Sequence, residues 1–186
     1  MSVFTAVLEL KNEMKKNGII QENGIGEELF LFSSTIVPIV NVDLLIFDKN
    51  DEILLSQRDD KWCGTGWHLP GSCIRFDETI HNAISRCALS ELGLEVMHTA
   101  EPLKVYDVHF PDYREGLEDQ RERKHFIALA YGCCVKSGWV LDDKYKNDGR
   151  IRWFRNLPED FLQIHDCYRK DWVELMEKYK HSTMYT

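Results

Sequence analysis

The segment ISRCALSELGL, residues 84–94, ends the apolar face of a predicted helix with a carboxylate. At helical spacing Ile84, Cys87 and Ala88 share one face, and Glu91 falls on that same face. An ionised carboxylate that leaves water needs a cation or hydrogen-bond donors to replace the water. Glu91 therefore either meets solvent at the helix end or helps to bind a metal ion there. Mg²⁺ is a cation that prefers such oxygen ligands.

Glu91 belongs to a longer pattern of charged residues and glycines. Residues 69–94, LPGSCIRFDETIHNAISRCALSELGL, predict a strand end, a loop and a helix. The segment resembles the Nudix box, which runs glycine, five residues, glutamate, seven residues and then Arg-Glu-apolar-x-Glu-Glu-x-Gly-apolar. Aligned on Glu78, the residues that match this pattern are Arg86, Ala88, Glu91, Gly93 and Leu94.

The segment departs from the box at three positions. Ser72 stands at the box glycine, although Gly71 precedes it, and Cys87 and Ser90 replace the first two glutamates of the helix. A full box supplies several carboxylates and can hold more than one ion. Glu91 with the backbone carbonyl of Gly71 suits a single Mg²⁺, which usually takes a few protein oxygens and completes its shell with substrate phosphates.

One branch of the superfamily, the GDP-mannose mannosyl hydrolases, shows the same losses, and the chain resembles it over roughly residues 37–154. Asp43 and Arg58 keep that family's spacing between an aspartate in the first long strand and an arginine ending the next. The resemblance implies that Arg58 pairs with a phosphate, that Asp43 orients Arg58, and that His109 lies near the diphosphate. The alternatives are an ordinary strand-end ion pair for Arg58 and a structural role for His109.

A further pair of site residues comes from the same resemblance. The family places a Gln-His pair shortly before a late strand that contains tryptophan, and counting back from Trp153 gives Asn147 and Asp148. Asn147 would then offer an amide oxygen to the metal, and Asp148 would act as the general base. The alternative is a solvated turn, because Asn-Asp-Gly in KYKNDG is favourable turn chemistry.

The resemblance implies an Mg²⁺-dependent hydrolase of a nucleoside diphosphate sugar, in which water attacks the anomeric carbon and the diphosphate leaves intact. An ordinary Nudix pyrophosphatase, attacking phosphorus, is one alternative, and a non-catalytic nucleotide-binding module is another. Isopentenyl diphosphate isomerase shares the fold and uses a cysteine and a glutamate, which Cys73 and Glu91 could supply. That family's histidine shortly after the cysteine is absent here.

The pattern of predicted strands and helices that must position these residues indicates an α/β fold. We expect a Nudix-like α/β/α sandwich on a mixed sheet. Strands are expected on both sides of the turn DKND, at LKVYDVHF, at HFIALAYGCCV and at GRIRWF. Asp77 is expected to cap the helix before Gly93, and GSCIRFDE to form a loop. We expect one domain over 1–186, with an N-terminal helix and connection (1–34) and a helical C-terminal end (156–186).

The composition limits the classes of molecule that the chain is expected to bind. The net charge of −8 argues against a general binder of nucleic acid or of an anionic membrane. No apolar run reaches the about 20 residues needed to cross a bilayer. The six cysteines include no CxxC pair, and the N-terminus does not resemble a signal peptide. We expect reduced thiols, a cytoplasmic location and no nucleic-acid or membrane partner, and a homodimer stays open.

Overall fold

The computed structural model describes residues 2–16, 26–110, 124–139 and 149–185. The helices are α1 (Val3–Lys16), α2 (Gly26–Ser34), α3 (Ile80–Leu92) and α4 (Asp166–Lys180), with a short 3₁₀ turn at Gln163–His165. The strands are β1 (Ile39–Phe47), β2 (Ile53–Asp60), β3 (Gly64–His68), β4 (Gly71–Cys73), β5 (Val96–Thr99), β6 (Lys104–His109), β7 (His125–Val135), β8 (Ile151–Phe154) and β9 (Met184–Tyr185). Among the described residues, no helix is long and apolar enough to span a bilayer.

The strands form one mixed sheet around β1. Strand β1 runs parallel to β7, with register pairs from Ile39↔Phe126 to Phe47↔Cys134, and antiparallel to β2 and β4. The main order is β3-β2-β1-β7-β5-β9, while β4, β6 and β8 pair with β1, β7 and β2. The predicted mixed sheet is confirmed, because a parallel pair sits among antiparallel neighbours.

Helices cover both faces of β1, which explains why its second half is apolar without interruption. Leu44 and Ile46 belong to a core with the buried face of α3, whereas Leu45 and Phe47 belong to a core with α4. Successive side chains of a strand point to opposite faces, so one strand can serve both cores. The result is the predicted α/β/α sandwich, with α3 on one side of the sheet and α4 on the other.

Local structure corrects the sequence reasoning at the start of α3. The N-cap is Thr79, whose hydroxyl accepts a hydrogen bond from the Asn82 N–H at 3.2 Å, so the prediction of Asp77 as the cap is wrong. Asp77 instead adopts a φ of +61° in the turn before the helix. The prediction of Gly93 as the helix stop is confirmed, since its φ of +65° is the left-handed conformation that glycine adopts without strain.

Other differences concern short elements with weak sequence patterns. The predicted loop GSCIRFDE begins with strand β4, because Gly71–Cys73 finds pairing partners on β1. Helix α2 occupies part of the predicted N-terminal connection, and strand β5 was not predicted. All six cysteines lie in the described residues and none forms a disulfide, as the sequence predicted.

Candidate functional site

Arg86 fixes the loop between β4 and α3. Its Nε and Nη2 donate to the two carboxylate oxygens of Glu78 at 2.7 and 2.8 Å, and Nη1 donates to the Ser72 hydroxyl at 2.9 Å. A further bond runs from Nη2 to the Cys73 carbonyl at 2.9 Å. The hydrogen bonds from Arg86 hold the pKa of Glu78 below its usual range. Two charged residues of the box thus act structurally: they tie β4 to the helix that carries Glu91.

We expect Arg86→Ala to lower the free energy of unfolding by about 2–3 kcal/mol, because it removes several charge-assisted hydrogen bonds and leaves Glu78 unpaired. Urea unfolding of the variant and of the wild type measures this difference. Arg155→Ala is the control, since Arg155 is exposed. Equal losses in the two variants would contradict a structural role for Arg86.

Gly71 separates two carboxylates that come from different elements. It pairs with Asp43 across β1 and β4, and a Cβ at Gly71 would lie only 2.6 Å from Oδ1 of Asp43. On the helix side, the Gly71 N–H favours the charged form of Glu91 and so opposes the rise of its pKa. The thiol of Cys87, one turn earlier in α3, acts in the same direction on the pKa of Glu91. The absence of a side chain at Gly71 lets Asp43 approach this part of the backbone.

Asp43 is buried and Glu91 is half-buried. Asp43 is 4% exposed, and burial raises its pKa to about 6 against the opposing effects of the Tyr168 hydrogen bond and the Arg58 charge. Burial likewise raises the pKa of Glu91 to about 7; the Gly71 N–H and Arg58 oppose this shift, and the negative charge of Asp43 adds to it. Two desolvated acidic groups whose charges repel each other fit a site that receives a cation.

Arg58 lies near the end of β2 and interacts through its charge with both carboxylates. Its Nε donates to Asp60, and the other carboxylate oxygen of Asp60 accepts from the N–H groups of Trp62 and Cys63 at 2.8 and 2.7 Å. Asp60 is therefore the carboxylate that holds the guanidinium, a role that the sequence resemblance implied for Asp43. Asp43 and Arg58 still interact through their charges. Sequence reasoning missed Asp60 although it lies two residues from Arg58.

On the other side of Asp43 lies an aromatic cluster from the C-terminal region. The Tyr168 hydroxyl donates to Oδ2 of Asp43 at 2.6 Å, and Nδ1 of His165 lies 4.0 Å from the same oxygen. The His165 ring stacks on His68, with centroids 6.1 Å apart. Burial lowers the pKa of His68 to about 4 and that of His165 as well, so both imidazoles are neutral at pH 7. No sequence spacing marked these residues.

A cavity of about 100 Å³ opens beside Arg58. Its lining includes Asn41, Cys73 and His125. Among the described residues, Oδ1 of Asn41 is buried without a hydrogen-bond partner, so it can accept a bond from a ligand in this cavity. His109 is exposed and stacks on His125, with ring centroids 4.0 Å apart, which puts it next to the cavity wall.

The structure brings together four of the predicted site residues, namely Asp43, Arg58, Gly71 and Glu91. Asn147 and Asp148 lie outside the described residues. The described chain resumes next to them and pairs with β2: the Gln57 N–H donates to the Arg150 carbonyl at 2.7 Å. Gln57 is the neighbour of Arg58, so the described chain resumes close to the arginine.

Comparison with known proteins agrees with this architecture. A family model for the NUDIX domain matches residues 37–170. Low-salt glycan biosynthesis protein Agl8 of Haloferax volcanii is 34% identical over 97 residues, which cover 51% of this chain and 58% of that protein. The matched part thus spans little more than half of the length of this curated relative.

Solved structures share the fold at low sequence identity. A possible asymmetric diadenosine tetraphosphate hydrolase from Jonesia denitrificans is 16% identical with a TM-score of 0.56, covering 77% of this chain and 98% of that one. A UDP-X diphosphatase is 15% identical with a TM-score of 0.53, covering 96% of this chain and 81% of that one. Identities this low show the fold alone. Since the family match spans more than half of the sequence, the chain belongs to the NUDIX domain family.

Proposed function

We propose that this Nudix hydrolase acts on a nucleoside diphosphate sugar with Mg²⁺, and that water attacks the anomeric carbon of the sugar. The observation that carries the proposal is the reduced acidic set on α3. Glu91 is the one glutamate in the last two turns of α3. Cys87, which is buried in the core, and Ser90, which is exposed, stand where the Nudix box has glutamates. Together with Gly71, such a site suits a single ion.

The proposed metal ligands are Glu91, the backbone carbonyl of Gly71 and the amide oxygen of Asn147. The buried carboxylate of Asp43 lies on the other side of Gly71 and adds negative charge. Within the described parts of the chain, no arginine donates a hydrogen bond to it. A neighbouring positive charge that neutralised these carboxylates would lower their pKa values. The pKa values of Asp43 and Glu91 are raised instead, which supports a cation bound between or beside them. Bound Mg²⁺ would supply positive charge to the diphosphate oxygens.

The remaining residues would handle the leaving group and the water. Arg58, whose Nε donates to Asp60, would pair with a phosphate oxygen, and His109 would add a donor near the same diphosphate. Charge on the diphosphate grows as the carbon–oxygen bond breaks, so a preorganised guanidinium stabilises the transition state more than the ground state. Asp148 would take the proton from the attacking water.

The comparisons lend support at the level of substrate class. The Agl8 relative is named for glycan biosynthesis, and one structural neighbour is a UDP-X diphosphatase. Both names point towards sugar or nucleotide-diphosphate chemistry. The closer resemblance to GDP-mannose mannosyl hydrolases rests on the sequence pattern around Glu78 and Glu91 and on the spacing of Asp43 and Arg58.

The position of water attack is the decisive test. We expect hydrolysis of a nucleoside diphosphate sugar in ¹⁸O-labelled water to place the label on the free sugar and to leave the nucleoside diphosphate unlabelled. Mass spectrometry of the two products measures this, and NMR of the fresh sugar should show inverted anomeric configuration, because a direct displacement inverts the carbon. Label in a phosphate would instead identify an ordinary Nudix pyrophosphatase.

A panel of nucleoside diphosphate sugars with different bases and sugars serves as the starting screen for this test. GDP-mannose is the first substrate to try, because the sequence resembles its hydrolases most. Retained ligand binding with no turnover of any member would contradict the hydrolase proposal and favour a non-catalytic nucleotide-binding module.

A further inference from the structure

Three metal-binding side chains meet at the paired ends of β6 and β7, outside the carboxylate pair around Gly71. His109 lies directly opposite His125 in the antiparallel register, and Asp107 precedes His109 by two residues on the same face of β6. Nε2 of each histidine lies 3.0 Å from Oδ1 of Asp107. One ligand atom from each residue fits within a span of 4.8 Å.

We propose that Asp107, His109 and His125 form a site for a transition-metal ion of the Zn²⁺ type. Imidazole nitrogens with one carboxylate favour such ions, whereas Mg²⁺ favours oxygen ligands alone. Zn²⁺ binds these atoms at about 2.0–2.2 Å, which in a tetrahedron separates them by about 3.4 Å. The two Nε2–Oδ1 separations of 3.0 Å are close to that value, and both imidazoles must turn so that the ion lies in the plane of each ring.

The side chains are free to make this adjustment. The exposed fractions are 61% for the His109 side chain, 67% for Asp107 and 33% for His125, so none is locked by packing. The two rings stack at 22° with centroids 4.0 Å apart and direct the same edge at one carboxylate oxygen. Binding of one ion by both nitrogens therefore turns the rings out of this stack, which the exposure of the His109 side chain permits.

The three-residue site lies at the edge of the cavity beside Arg58. His125 also lines the cavity beside Arg58, so the ion would lie at the rim of that cavity. Three protein ligands leave the fourth position of a tetrahedral ion open to water or to a ligand oxygen. An ion here would add positive charge at the cavity mouth of a chain with a net charge of −8. Metal binding at this site does not depend on the proposed hydrolysis.

The test is metal binding by the purified full chain, free of any histidine tag and treated with chelator. We expect Co²⁺, used as a visible probe, to give one tetrahedral nitrogen–oxygen absorption spectrum and Zn²⁺ to displace it. His109→Ala, His125→Ala and Asp107→Asn should each weaken Zn²⁺ binding, measured by calorimetry, by about tenfold or more. Circular dichroism checks that the variants fold.

Two further variants separate this site from the other metal-binding groups. His181→Ala is the matched control, because His181 is an exposed histidine 3.9 Å from the Glu177 carboxylate, and its Zn²⁺ affinity should equal that of the wild type. Glu91→Gln should also keep the Zn²⁺ affinity. Equal binding in the wild type and all three site variants, or an intense sulfur-to-cobalt charge-transfer band, would overturn the proposal.

Discussion

Glu91→Gln is expected to lower metal-dependent turnover by about 100-fold or more while the fold stays intact. The substitution keeps the shape of the side chain and removes the charge that a divalent cation would meet on α3, so transition-state stabilisation by the metal is lost. Steady-state rates over a range of Mg²⁺ concentrations, with and without chelator, measure the effect. A thermal unfolding temperature at or above that of the wild type would show an intact fold, because the substitution removes the desolvation cost of charging Glu91.

Glu101→Gln provides the matched control, since Glu101 is an exposed glutamate on the same chain. Its turnover should equal that of the wild type. Undiminished activity of Glu91→Gln, or full wild-type activity in chelator, would contradict the metal role of Glu91.

Arg58→Ala is expected to lower kcat by about 100-fold and to change KM much less. If Arg58 binds a diphosphate oxygen, its contribution grows as the leaving group gains charge, so the loss falls on the chemical step. Measurement of kcat and KM for the same nucleoside diphosphate sugar separates the two effects. Arg58→Lys should recover only part of the rate, because lysine cannot make the planar two-point contact of a guanidinium.

The same experiment tests the hydrogen bond that fixes Arg58. Asp60→Asn should show a smaller loss of kcat than Arg58→Ala, because it loosens the guanidinium without removing it. Arg155→Ala, an exposed arginine, serves as the control for general charge effects. A rise in KM alone for Arg58→Ala would show that the residue binds substrate and transition state equally, which contradicts the proposed role.

Short-range features of this chain could be predicted because short-range physics produces them. The apolar stripe of α3, the stop at Gly93 and the strands on both sides of the turn DKND depend on periodicity and on glycine's freedom at positive φ. The cap was misplaced for a local reason too. Asp77 and Thr79 are both good capping residues, and the turn that places Asp77 at a φ of +61° leaves Thr79 to accept the Asn82 N–H.

The candidate site could be predicted in part. Family spacing drew attention to Asp43, Arg58, Gly71 and Glu91, and these four meet around one backbone position. The spacing could not tell which carboxylate holds Arg58, because Asp43 and Asp60 are both near it and only side-chain geometry chooses Asp60. The roles of these residues in metal and substrate binding, like those of His109, Asn147 and Asp148, stay predictions. The same holds for the single domain, the cytoplasmic location and the homodimer.

The sequence by itself determined that α3 ends at Gly93 and that one carboxylate ends its apolar face. The tertiary structure decided what surrounds that carboxylate. Tyr168 donates to Asp43 across 125 residues of chain, and His125 faces His109 only because β6 and β7 pair in one register. A shift of that register by one residue would send these side chains to opposite faces of the sheet. Such contacts depend on how distant elements pack, and no local pattern of residues encodes them.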